Sequence, residues 1–162
     1  MKDHEIAEWL VIANDDVSSA EDLKDKHIVN SYYHCSQAVE KYLKCFLFIN
    51  NEKNNKNHYL SETLDRCIKR DNSFSSILAE CNDMTQLIKN IRYPGRTIPT
   101  KNDLSEAFEL IQKIKELKPI QDIFNNLINK FGNNWESVLF KQTTVLETDF
   151  SSKDIFKLEP ME

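Results

Sequence analysis

Glycine and proline are nearly missing from this sequence. The 162 residues contain two glycines and four prolines, whereas an average chain devotes about 12% of its length to the two types together. A sandwich or barrel needs many turns with positive φ, and this chain supplies few residues that tolerate them. Collagen-like and Gly- or Pro-rich disordered classes fall for the same reason. Also lacking is any run of 18 apolar residues of the kind that crosses a membrane. The opening MKDHEIAEWL is acidic and has no hydrophobic region of the signal-peptide type, so no membrane association and a cytoplasmic location are expected. Bases do not predominate: 21 stand against 26 acids, a net charge of −5, which argues against a histone-like binder of nucleic acid over its whole surface. Cys35, Cys45, Cys67 and Cys81 form no C-x-x-C pair and read as reduced core residues rather than metal or redox groups.

What is present is helical periodicity. With 40% apolar and 10% aromatic residues the chain has enough material for a core. Ile6, Trp9, Leu10, Ala13, Val17 and Ala20 make one apolar stripe, predicting a helix over about 4–24. Glu5, Glu8, Asp15, Asp16, Glu21 and Asp22 read as its solvated acidic face. The segment 28–50 is apolar around most of its circumference, which marks a central helix. Its one polar stripe is Gln37, Glu40, Lys41 and Lys44, with Glu40 and Lys44 an i, i+4 pair in the favourable order. This stripe must face water or a polar site.

The run NNEKNNKNH (50–58) reads as a flexible loop. A short helix follows through Leu60, Leu64, Cys67 and Ile68, then a break and cap at Asp71-Asn72-Ser73. Ile77 to Ile91 forms a fourth helix, ended before Pro94. Thr100 or Asn102 caps a fifth helix reaching Leu117, and Pro119 closes it or restarts it. Ile120 to Phe131 is amphipathic and stops at Gly132. Trp135 to Phe140 reads as one more turn, TTVLETDF (143–150) as a short strand or extended arm, and 151–162 as frayed. The expected architecture is all-α: an up-and-down bundle of four or five helices over 1–118, then an extension over 119–162 with a helix at 119–131 and an irregular tail.

Charge is distributed unevenly. From Met84 to Asn102 there is no acid, while Lys89, Arg92, Arg96 and Lys101 are positive. The guanidinium fork suits phosphate, Tyr93 could stack on a base, and Pro94-Gly95 fixes a turn. Against this stands a purely structural role, with Arg92 paired to an acid such as Glu40. His58, at the start of the third helix, could donate to a phosphate or a carboxylate, or simply be a half-exposed residue of the cap region. His34 and Cys35 are adjacent on a helix, point about 100° apart and do not form a nucleophile pair. No H-E-x-x-H, glycine-rich phosphate loop or paired-carboxylate motif is present, so neither a metal nor a cofactor is expected.

Four motifs in order carry a family resemblance. They are Ala13-Asn14-Asp15-Asp16-Val17-x-x-Ala20, then Gln37-Ala38-Val39-Glu40-Lys41-Tyr42-Leu43-Lys44, then His58-x-Leu60-x-x-x-Leu64, and Arg92-Tyr93-Pro94. Over roughly 4–118 the chain resembles the HEPN family (higher eukaryotes and prokaryotes nucleotide-binding). That resemblance implies a homodimeric helical bundle with a polar cleft at or near the dimer interface. It also implies a nucleotide or RNA ligand and a minimal nucleotidyltransferase partner in a toxin–antitoxin-like pair. Carried over by position, it places Glu40, Lys44, His58, Arg92 and Tyr93 in the cleft, with Arg96 in the adjoining basic loop. The ribonuclease branch of the family has a histidine four to six residues after an arginine at the end of the fourth helix. Here no histidine follows Arg92 or Arg96. RNA cleavage without a metal needs a base or acid near the 2′-hydroxyl, and a phenol with an ordinary pKa near 10 is a poor base at neutral pH. The expectation is therefore a binding module rather than an enzyme. The alternatives are a structural dimerisation module and a ribonuclease without the usual histidine.

Overall fold

A computed structural model describes residues 2–53, 59–91 and 93–137. Its helices are α1 (Lys2–Leu23), α2 (Ile28–Ile49), α3 (Leu60–Arg70), α4 (Leu78–Ile91), α5 (Lys101–Glu116) and α6 (Lys118–Phe131), with a 3-10 turn at Asn72–Ile77 between α3 and α4. Among the described residues there is no strand. The fold is all-α, a helical bundle, as the periodicity and the shortage of glycine require. The expected arm at 143–150, the frayed tail and the end of the Trp135–Phe140 turn lie outside the described residues.

α2 is the axis of the bundle. It packs against α1, α3, α4, α5 and α6, and twelve of its residues are buried, Tyr42, Leu43 and Phe46 among them. An all-round apolar helix has this place because every face it turns needs a partner. Full burial of each large apolar side chain is worth about 1.5–3 kcal/mol. All four cysteines are free and buried. Burial pushes the thiols of Cys35, Cys45 and Cys81 up to about 12, and raises Cys67 as well.

Local chemistry sets the helix ends. Asp71 accepts from the Ser73 backbone N–H at 2.9 Å and starts the 3-10 turn. Thr100, rather than Asn102, caps α5 in a reciprocal box with Asp103. Leu117 ends α5 and begins α6, with Pro119 in the first turn of the new helix, so this proline restarts rather than closes. Gly132 ends α6 at φ +83° and ψ 176°, a conformation essentially reserved for glycine. Trp135 then turns back and is buried against Phe124, ring centroids 6.2 Å apart.

One expectation fails. Asp16 is not on a solvated face: its side chain is only 13% exposed. Asp16 follows Ala13 by three residues and precedes Ala20 by four, and both alanines are fully buried. Its position therefore points along the apolar stripe toward α2. There it accepts from Lys41 and meets His34 Nδ1 at 2.9 Å, so its charge is compensated within the bundle. Asp15, Glu8, Glu21 and Asp22 are exposed as expected.

Candidate functional site

The polar stripe of α2 faces inward. Glu40 is buried at 7% exposure, and its carboxylate accepts from Lys44 one turn on. Removing either partner would leave a buried charge uncompensated. Lys44 also borders a cavity of about 80 Å³ shared with Trp9 of α1, Phe48 of α2 and Arg66 of α3.

Beyond that cavity the chain leaving α2 is clamped. Glu52 accepts from Arg66 Nε at 2.9 Å and from Arg70 Nε at 2.8 Å, and Arg66 also donates to the Lys53 carbonyl. The two guanidinium groups, Arg70 first, hold the Glu52 carboxyl below its usual range. The expected flexible loop thus begins with an anchored residue. The signal was present as one acid among asparagines and two arginines four apart on α3, both on one face.

One contact joins the start of α3 to the end of α4. Tyr59 is exposed, and the Lys89 ammonium of α4 lies over its ring, 5.6 Å from the centroid, a cation–π distance. Past α4, Gly95 takes φ +78° and turns the chain, so that Arg96 Nη1 donates to the Ile91 carbonyl at 3.4 Å. A cation on the last carbonyls of a helix is favourable. Tyr93 stands 69% exposed, and Ile98, five residues on, 55% exposed.

Of the six residues expected at the site, five in the cleft and Arg96 in the adjoining loop, Glu40 and Lys44 form one pair. Tyr93 and Arg96 stand at the end of α4 with no described hydrogen bond to that pair. His58 and Arg92 lie outside the described residues. Tyr59 was missed as a partner for Lys89, because the two residues come from different helices and share no local pattern. Among the described residues, no group of three or more His, Cys, Asp or Glu could hold a metal ion. Nor is any described helix long and apolar enough to cross a membrane.

The family model for the HEPN domain matches residues 6–121, most of the chain. This chain belongs to the HEPN family. The HEPN domain runs from the first turns of α1 into the start of α6, and the family is in general related to nucleotides and RNA. No curated protein and no solved structure matches the chain. Within the HEPN domain the Glu40–Lys44 pair lies on buried helix surface. Tyr59 before α3 and Tyr93 past α4 are exposed.

Proposed function

We propose that this HEPN domain binds a nucleotide or short RNA at the junction of α3 and α4, without cleaving it. The observation that carries the reading is the Lys89 ammonium over the exposed Tyr59 ring, with exposed Tyr93 and Arg96 following a few residues on in the chain past the end of α4. All of it adjoins a segment, Met84 to Asn102, that contains no acid. Guanidinium and ammonium groups neutralise phosphate, and a phenol ring offers a base a stacking surface worth about 1–3 kcal/mol. In this reading His58 and Arg92 complete the site, and the Glu40–Lys44 pair holds α2 in register behind it. The domain acts as a homodimer in the cytoplasm, with a minimal nucleotidyltransferase as partner in a toxin–antitoxin-like pair. Residues 1–118 form the working unit and 119–162 an appendage to it.

Fluorescence anisotropy with labelled nucleotides and short single-stranded RNA tests this at low and moderate salt. Binding should weaken as salt rises, and Arg96→Ala and Tyr93→Ala should each reduce it several-fold without loss of helix content. The absence of binding at low salt would overturn the reading. Cleavage of the RNA that disappears in Arg92→Ala would replace it with a ribonuclease.

A second reading has one observation in its favour, the burial of Glu40 with its partner Lys44. A buried ion pair can fix register between packed surfaces, as in a module that only dimerises. If Arg92→Ala removes dimerisation and no ligand response exists to alter, this second reading stands.

A further inference from the structure

The far side of α4 has the opposite electrostatic character. A groove of about 610 Å³ runs between α4 and α5. The ion pair of Glu80 with Lys113 closes one end, while Asn90 and Thr97 border the other. From Glu80 to Asn90 the α4 wall is about 15 Å long, at about 1.5 Å of rise per residue. Five carboxylates line the groove against a single amine, Lys113. Lys113 is bound to Glu80 and its charge also acts on Glu109, whereas Asp83, Asp103 and Glu106 make no ion pair among the described residues. Met84, Leu87, Ala107 and Leu110 supply apolar surface between them.

Tyr32 adds an independent observation. It reaches the groove from α2 and is only 4% exposed, yet its hydroxyl makes no hydrogen bond among the described residues. The ring is buried while the hydroxyl oxygen itself stays accessible, since no sealed side-chain polar atom lacks a partner among the described residues. It opens into the groove, among acids whose charge, after burial itself, holds its proton on. A neutral hydroxyl there can accept from a cationic donor.

We propose that the groove between α4 and α5 docks a lysine- or arginine-bearing peptide segment of a protein partner. Nucleic acid is excluded by the sign of the charge. A single compact ion is a poor fit, since no three acidic side chains converge to hold one. Carboxylates spread along about 15 Å of groove suit separate cations carried on alkyl stems. Those stems lie on apolar surface while their heads reach the rims, as long basic side chains do. An extended peptide covers this length in four or five residues at about 3.3 Å each. The partner's basic segment is also repelled from the Lys89–Lys101 side, which leaves the groove as the face of α4 that attracts it. The proposal is independent of the nucleotide reading, and either stands if the other fails.

Anisotropy of a labelled peptide alternating lysine and alanine, titrated with the full chain at physiological salt, tests it. Saturable binding is expected, weakened about tenfold by Asp83→Asn combined with Glu106→Gln and about threefold by Tyr32→Phe. A tenfold loss corresponds to about 1.4 kcal/mol. Glu5→Gln combined with Glu8→Gln on the exposed face of α1 removes the same charge elsewhere and should leave binding unchanged. Equal weakening by that control would reduce the effect to bulk charge and overturn the proposal. So would tighter binding of free spermidine than of the peptide. If the groove variants instead convert a dimer to a monomer, the groove belongs to a second copy of the chain and the proposal fails.

Discussion

The Tyr42 hydroxyl donates to the side-chain carbonyl of Asn14 at 2.6 Å, and the Asn14 amide donates onward to Glu136 at 2.7 Å. Three parts of the molecule meet there: α1, the central helix and the turn beyond α6. The Tyr42 ring is fully buried, 6.3 Å from Phe124, and the Lys115 ammonium lies 5.7 Å from its centroid. Phe124 in turn packs on Trp135. The relay therefore ties the HEPN domain to the segment that follows it.

Tyr42→Phe removes the donor and keeps the ring. Loss of one hydrogen bond at a half-buried partner costs about 1–2 kcal/mol. The urea midpoint should fall accordingly, with the slope of the transition unchanged. Asn14→Ala severs both links and should, in addition, red-shift the emission of Trp135, measured in a Trp9→Phe background. An unshifted spectrum would mean that Trp135 is held by Phe124 alone.

The four cysteines give a second test. Burial raises every thiol well above neutral pH, and only the thiolate reacts. Native protein at pH 7 should resist iodoacetamide, and urea should release all four groups together. The rate of labelling then reports global opening rather than local fraying. One cysteine labelled quickly in the folded state would show that its helix opens by itself.

Much of this architecture was readable from the apolar pattern, because α1, α2, α4, α5 and α6 each bury a stripe that repeats with the helical period. Phe74 was not readable. It sits among serines in the 3-10 turn, yet it is fully buried with its ring 4.6 Å from that of Phe46. Six residues, two turns of 3-10 helix, are too few to show periodicity, so burial there is decided by tertiary packing alone. Asp16 misled for a related reason: its residue type suggested water while its position pointed to α2. In the candidate site, the Glu40–Lys44 pair was legible because i, i+4 spacing is a local geometric fact. The Lys89–Tyr59 contact joins helices thirty residues apart, and nothing local encodes it. The acidic groove escaped notice because two of its carboxylates come from α4 and three from α5, and each set alone resembles an ordinary solvated face.

Glu52 supplies a prediction about acid. Its folded carboxyl titrates below the ordinary value of 4.5, because Arg70 and Arg66 bind the charged form. Between the folded and unfolded values the unfolded chain binds the extra proton, so stability rises with pH across that window. The contribution is complete above about pH 5 and is lost as pH falls through the folded value. Glu52→Gln should therefore lower the urea midpoint at pH 7, and the gap to the parent should close as pH drops below 4.5. Added salt should shrink the gap at pH 7, since Arg70 is half-exposed. A gap independent of pH would assign the effect of the substitution to packing.

Gly132 tests how the segment after α6 is seated. Nothing approaches within 4 Å of a Cβ built there, so alanine meets no steric obstacle. Its cost comes only from φ +83° and ψ 176°, backbone that non-glycine residues avoid at about 1–3 kcal/mol. The penalty can be relieved in two ways. If Trp135 and the Asn14–Glu136 bond hold firmly, Gly132→Ala lowers global stability by the full amount and Trp135 stays buried. If they hold by less than the strain, the chain beyond Phe131 releases instead: Trp135 emission shifts red while the urea midpoint of the bundle barely moves. The buried indole and its two aromatic neighbours in series, Phe124 and Tyr42, favour the first outcome. A full burial of that ring outweighs the strain at about 25 cal/mol per Å² over 150–250 Å². Fluorescence and far-ultraviolet circular dichroism, followed through one urea titration, should therefore give a single coincident transition, displaced to lower denaturant.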